Sequence, residues 1–320
     1  MTKLPKAMGA EADRRESVSG DYPMGDKLYV KLLSRLAHNF AALPDKPEET
    51  AESTLHALRY AASGQPMSVV LASTLPLAEL DEAGEKRLQE MVSQRLAGTP
   101  LSHITGRQHF MGLELLAGPE ALVPRKETEI LGKAALRLLH DLVRSRGQAT
   151  VVDVCTGSGN LALSLASHEP AARVYAADIS DKAVGLAQKN AAFLNLAGRV
   201  TVRQGDLLGP FDTSDFHGQV DLLTCNPPYI SSAKVNSMHE EIRAHEPREA
   251  FDGGPFGIRI LQRLVQDAVR FLRPGGWLAF ELGLGQGAPF MRRMQKDARY
   301  REVKAEYDEQ GQVRVIVASV

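Results

Sequence analysis

The chain has 320 residues, 43% of them hydrophobic and 24% charged, with a formal net charge of −1. These values exclude a collagenous, low-complexity or wholly disordered chain and leave room for two domains. Balanced charge also excludes a general attraction to nucleic acid or to an anionic membrane.

Residues 1 to 24 are polar and aperiodic, and read as a mobile tail. Residues 25 to 100 carry a helical pattern. "KLYVKLLSRLAHNFAAL" places Leu28, Leu32, Leu36 and Phe40 four apart on one face. Further helices fit "PEETAESTLHALRYAAS", "PMSVVLAST" and "LDEAGEKRLQEMVSQRLAG". The last opens on Asp81 as N-cap and closes before Gly98. Residues 101 to 124 are rich in β-branched and aromatic residues with glycines at turn positions, and fit a hairpin linker.

From 125 to 320 helix and strand alternate. Helix "ETEILGKAALRLLHDLV" leads into strand "ATVVDVCTG", helix "NLALSLASH", strand "RVYAADIS", helix "KAVGLAQKNAAFLN" and strand "VTVRQGDLL". Strand "VDLLTCNPPY", helix "RILQRLVQDAVRFL", strand "GWLAFELG" and a closing pair, "EVKAEYD" and "VRVIVAS", follow. This order predicts an α/β fold with a doubly wound, mostly parallel sheet, the closing pair forming an antiparallel edge.

No apolar run approaches the ~18 residues of a membrane span, and the N-terminus lacks a signal-peptide core, so a cytoplasmic protein without a membrane partner is expected. Cys155 and Cys225 are too few for a disulfide framework or a zinc site. The doubly wound order makes their strands neighbours, leaving them as two core residues or as a redox pair. His239 and His245 are six apart, off any one helical face, so no metal is expected.

"VVDVCTGSGNLALSLA" is a strand, a glycine turn and a helix. Gly157 and Gly159 permit the turn and let a ligand approach the backbone. Asp178, nineteen residues past Gly159, ends the next strand, where a carboxylate can accept both hydroxyl protons of a ribose. Gly157-x-Gly159-x-x-Ala162 also satisfies the dinucleotide fingerprint. Asp206 ends the third strand, positioned for an adenine amino group, and Asn-Pro-Pro-Tyr (226 to 229) ends the fourth. A dehydrogenase would need its hydride-transfer site in a further domain, whereas here the substrate elements lie in the same sheet. S-adenosylmethionine (SAM), leaving as S-adenosylhomocysteine, fits better.

Asn226 to Tyr229 suit methyl transfer to a planar nitrogen. Its N–H groups can bond the Asn226 side-chain oxygen and the Pro227 carbonyl, fixing its orientation and stabilising the positive charge that develops there. Pro227 and Pro228 hold those acceptors rigidly, and Tyr229 packs on the planar group.

With these motifs the chain resembles the HemK/PrmC family of SAM-dependent N5-glutamine methyltransferases, of the class I methyltransferase fold. "RLAGTPLSHITGRQHFMG", "VPRKETEIL", "DVCTGSGNLALSLA", "ADIS", "GDLL", "NPPYIS", "HEPREAFDGG" and "LRPGGWLAFELGLGQ" stand in the family's order. The resemblance implies that Thr156, Gly157, Ser158, Gly159, Asp178, Asp206, Leu207 and Asn226 bind SAM. It implies that residues 25 to 100 recognise the substrate and that Asn226, Pro227, Pro228 and Tyr229 hold the acceptor amide. In the best-known members of that family the amide is the glutamine of the Gly-Gly-Gln motif in peptide-chain release factors, and the resemblance implies the same acceptor here. Arg125 and Glu246 are further substrate-binding candidates; Arg125 also fits a structural clamp, and Glu246 a pairing with Arg248.

Cys155 stands for the family's usual glycine, Asn160 for alanine, His245 for an aromatic residue, and Pro255-Phe256 for an acidic pair. These departures keep open a paralogue that methylates a small-molecule amide or guanidine. An N6-adenine nucleic-acid methyltransferase calls for a basic channel. Residues 1 to 100 carry 12 basic and 14 acidic residues, so no nucleic-acid partner is expected.

Overall fold

The computed structural model describes residues 27–39, 45–238 and 240–320; the expected tail and Phe40 lie outside them. The apolar stripe near the N-terminus folds as helix α1 (Lys27–Asn39), which buries Tyr29, Leu32 and Leu36. Leu32 and Leu36 hold the expected face, and Leu28, partly buried, packs against the same core beside the buried Tyr29. Helix α2 (Ala51–Ala62) starts in a reciprocal cap: Thr50 accepts from the Ser53 amide while Ser53 accepts from the Thr50 amide. "PMSVVLAST" supplies only the single turn α3 (Val69–Ala72). Helix α4 (Glu82–Leu96) has the expected caps, with Asp81 accepting from the Gly84 amide at 2.6 Å and Gly98 at φ +96°. These helices close on a core of their own that includes Leu55, Leu58, Leu88 and Val92.

The segment 101 to 124 departs from the expectation. It begins with helix α5 (Leu101–Thr105), between Pro100 at its N-cap and Gly106 at φ +67°. Only then come the hairpin strands β1 (Arg107–Phe110) and β2 (Leu113–Leu116).

Helix α6 (Thr128–Arg146) leads into the sheet: β3 (Ala149–Val154), α7 (Asn160–His168), β4 (Ala172–Asp178), α8 (Asp181–Phe193), β5 (Val200–Gln204) and β6 (Val220–Cys225). Short helices α9 (Ser232–Val235) and α10 (Glu240–His245) precede α11 (Arg259–Phe271), β7 (Leu272–Glu281), α12 (Gly287–Gln295), β8 (Glu302–Tyr307) and β9 (Val313–Ser319). The strand order is β5-β4-β3-β6-β7-β9-β8. Pairings are parallel from β5 to β7, with β9 and β8 adding the antiparallel edge.

Central strands must be apolar on both faces when helices cover both. Val151 and Leu222 accordingly face the core that includes Leu131 and Leu163, while Val152 and Leu223 face the core that includes Leu261 and Phe271. The chain winds outward from β3 to β5 and then returns to the other side of β3 as β6. That reversal opens a crevice at the C-terminal ends of β3 and β6, where doubly wound sheets bind ligands.

Candidate active site

Two adjoining cavities occupy the crevice. The larger, of about 280 Å³, is lined among others by Thr156, Gly157, Asp178, Asp206, Leu207 and Asn226. The smaller, of about 140 Å³, takes Pro227, Tyr229, Met238 and Phe251 into its wall. Arg125, Thr128 and Asn226 line both and stand at the junction.

The larger cavity is built from strand ends. Asp178 accepts from the Gly157 amide at 2.8 Å and from the Ser180 amide at 3.0 Å, tying the loop after β3 to the loop after β4. Burial raises its pKa against the opposing pull of those amides. A Cβ on Gly157 would meet nothing within 4 Å, so the glycine's open side is the cavity itself. Leu207 and Ile179 give the wall apolar surface beside these polar groups. A carboxylate with spare lone pairs, an open glycine backbone and apolar walls fit the ribose, the amino-acid end and the purine of SAM.

Other members of the predicted cofactor set are placed differently. Ser158 is buried, and Gly159 opens α7 at φ +81°; neither lines the cavity. At the cavity's edge, Asp206 gives its two oxygens to Arg263 of α11 at 3.3 and 2.7 Å. The Cys155 and Cys225 thiols are neighbours; burial, then Cys155, pushes Cys225 well up, so it stays a protonated core residue.

β6 is buried throughout and ends at the turn beginning with Asn226. Two following prolines remove two backbone donors and stop the strand. The Asn226 amide nitrogen donates to Thr128 Oγ1 at 3.0 Å. The Tyr229 hydroxyl donates to Glu281 Oε1 at 2.9 Å, at the end of β7. Gln286 Nε2 donates to the Tyr229 carbonyl at 2.9 Å. Among the described residues nothing donates to the Pro227 carbonyl or to the Asn226 side-chain oxygen. Two acceptors of the turn are thus unengaged at the junction of the cavities.

Arg125 is a clamp with a spare donor. Its Nε meets Asp45 at 3.1 Å and its Nη2 meets Glu246 at 2.5 Å, while its buried Nη1 has no partner among the described residues. Glu246 lines neither cavity; it accepts from the Val123 amide at 3.0 Å and acts through Arg125, not through Arg248, which pairs with Asp252. Glu241, on α10, meets Lys46 at 2.8 Å and Arg95 at 2.8 Å, and Arg95 meets Glu49 at 3.1 Å, all four buried. Burial pushes Glu241 upward, but Lys46 and Arg95 together hold it below the ordinary glutamate value.

Sequence reasoning missed Thr128, Asp153 and Glu281. The latter two carried a signal, a carboxylate within the apolar run of β3 and another closing the apolar "WLAF" of β7. Asp153 accepts from Thr156 at 2.5 Å and Thr224 at 2.7 Å, under the cofactor loop, and burial pushes it up to about 7. No group of three or more His, Cys, Asp or Glu able to hold a metal ion occurs among the described residues, and no helix there is long and apolar enough to cross a membrane.

Comparison with known proteins bears on the family and the fold. Residues 130–254 match the family model of the Methyltransferase small domain. A release factor glutamine methyltransferase from Moorella thermoacetica is 41% identical over 75% of this chain and 82% of its own. One from Streptomyces coelicolor is 40% identical over 67% of this chain and 72% of its own. One from Gloeobacter violaceus is 36% identical over 74% and 80%. The crystal structure of the hMettl16 catalytic domain with a MAT2A 3'UTR hairpin superposes with a TM-score of 0.50 at 18% identity, covering 72% of this chain and 82% of that one. At that distance the likeness is one of fold alone.

Proposed function

The chain belongs to the release factor glutamine methyltransferase family, and on that premise we propose that it methylates the side-chain amide of a glutamine in a peptide-chain release factor, that of the Gly-Gly-Gln motif. The enzyme is a SAM-dependent N-methyltransferase. The observation that carries the acceptor assignment is the unengaged pair of the Asn226 side-chain oxygen and the Pro227 carbonyl, beside a cavity that fits SAM.

When bound, SAM would supply an electrophilic methyl group to the amide nitrogen, its sulfonium leaving as a neutral thioether and one N–H proton passing to solvent. An amide nitrogen is a poor nucleophile because its lone pair is delocalised. The Asn226 and Pro227 oxygens hold its two N–H groups and stabilise the positive charge as it grows. Pro227 and Pro228 keep those oxygens in place, and the Tyr229 ring covers the planar group, so the rate gain comes from positioning. Thr156, Gly157, Asp178 and Leu207 hold the donor. Arg125, through its spare Nη1, contacts a carbonyl of the incoming loop, with Glu246 fixing its orientation. Residues 25 to 100 recognise the release factor. An acceptor that acts in translation places the enzyme in the cytoplasm.

Departures at Cys155, Asn160, His245 and Pro255-Phe256 keep open a small-molecule acceptor as the alternative; the named relatives give that reading no support. The test is peptide mass spectrometry after incubation with SAM and either a purified release factor or a pool of free amino acids and amides. One methyl on the Gly-Gly-Gln glutamine is the expected result. An unmodified release factor beside a methylated small molecule would overturn the assignment.

A further inference from the structure

We propose that Thr128 and Glu281 are positioning residues that hold the Asn226 amide in the one orientation that presents its oxygen to the acceptor. The inference rests on the acceptor reading above and extends it to residues outside the turn.

A side-chain amide is nearly symmetric in shape but not in chemistry: one end accepts and the other donates two protons. Only the oxygen can hold an acceptor N–H, and nothing within the turn prevents a flip. Thr128, at the start of α6, takes the Asn226 nitrogen at 3.0 Å. Its oxygen being engaged, its single hydroxyl proton needs an acceptor elsewhere. The Glu281 carboxylate faces that hydroxyl. Its Oε1 takes the Tyr229 hydroxyl at 2.9 Å, while its buried Oε2 has no hydrogen-bond partner among the described residues and is the open acceptor on that side. Glu281 is 1% exposed, so water does not replace either donor. One buried carboxylate thus serves both ends of the turn: Oε1 holds the ring of Tyr229 directly, and the open Oε2 is the acceptor that the Thr128 hydroxyl proton needs while its oxygen holds Asn226.

The relay has a direction only while Glu281 accepts. A protonated Glu281 donates to Thr128, the hydroxyl then donates to the Asn226 oxygen, and the amide turns its NH2 toward the acceptor. Burial raises the Glu281 pKa above the ordinary glutamate value, and Arg314 of β9, 3.8 Å from Oε1, pulls it back toward the carboxylate. Glu127 of α6, 2.6 Å from Arg314, opposes it, and Asp308 stands 3.9 Å from Arg314 on the far side. Tyr229 and Thr128 face the carboxylate as neutral donors. A glutamine at 281 fixes the reversed relay, its oxygen taking Tyr229 and its NH2 donating to Thr128.

The test uses the full chain with SAM and a release factor, and compares the wild type with Thr128→Val, Thr128→Ser and Glu281→Gln. Losing one preorganised hydrogen bond to the reacting group predicts a kcat about 10- to 100-fold lower in Thr128→Val and Glu281→Gln. SAM affinity by calorimetry and KM stay near wild type. Thr128→Ser, which keeps the hydroxyl, restores most of kcat. The acidic limb of the wild-type kcat–pH profile disappears in Glu281→Gln. Thr128→Val turning over like the wild type, or Thr128→Ser as slow as Thr128→Val, overturns the relay. Wild-type turnover on the release factor tests the acceptor reading separately. A readout that needs no acceptor is the exchange of the Asn226 side-chain amide protons by 15N NMR. It is slow in the wild type and Thr128→Ser and fast in Thr128→Val; equal rates in all three also overturn the relay.

Discussion

Two glycines behind the acceptor turn separate backbone strain from close approach. Gly254 and Gly257 both adopt left-handed φ, +86° and +67°. An alanine at either costs about 1–2 kcal/mol for the conformation alone. Their surroundings differ. At Gly254 the nearest atom to an added Cβ is the Arg259 Cβ at 4.0 Å, whereas at Gly257 the Tyr229 carbonyl oxygen stands 2.1 Å away and Gln286 Nε2 2.9 Å. Relieving that contact requires a displacement of about 1 Å, and such misplacement of positioning groups costs on the order of 10²-fold in rate. The shift reaches the reacting groups because Tyr229 is joined to Asn226 through two prolines, whose fixed φ absorbs little of it. Gly257→Ala should therefore lower kcat for release-factor methylation about 100-fold with SAM affinity near wild type. Gly254→Ala should lose a few degrees of melting temperature and keep its kcat. Calorimetry for SAM, thermal unfolding and steady-state methylation measure the three quantities. Equal kcat in the two variants would show that the Gly257–Tyr229 contact does not set the turn.

Asp178→Ala removes the acceptor that ties the two cofactor loops, and two charge-assisted hydrogen bonds predict SAM binding weakened by about 30- to 100-fold in calorimetry; unchanged affinity would remove Asp178 from the donor site. Asp153, pushed up to about 7 by burial, gives the stability a pH dependence of known sign. Between about pH 4 and 7 the folded chain keeps a proton that the unfolded chain releases, so stability falls through that window by about 4 kcal/mol. Asp153→Asn should flatten this decline in urea unfolding at pH 5 and 8, and parallel slopes in variant and wild type would count against the buried-proton account.

The sheet was legible in sequence because its strands are buried on both faces, as "VVDV" and "VDLLTC" show, and because Asp81 and Gly98 mark their helix ends locally. Asn226 to Tyr229 and Asp178 were legible because proline, glycine and carboxylate act at fixed offsets from strand ends. Helices α9 and α10 were not, since four and six residues are too short to display a 3.6-residue period. Pairings were hidden for a different reason. Arg263 meets Asp206 across 57 positions, and Tyr229 meets Glu281 across 52. No local pattern links such residues, and only the topology that places β7 beside β6 brings Tyr229 and Glu281 together.

The same topology explains why the segment after the turn is built with buried charge. Lys46 and Arg95 from the helical region face Glu49 and Glu241, two cations against two carboxylates among the described residues. Removing a single member leaves an uncompensated buried charge, a loss of about 3–5 kcal/mol. An apolar junction of similar area would tolerate sliding, whereas forked pairs at 2.8 Å tolerate little. Glu241 lies on α10, five residues before Glu246, which in turn holds Arg125 at the junction of the two cavities. The helical region is thus tied through α10 to Arg125, which lines both cavities beside the turn.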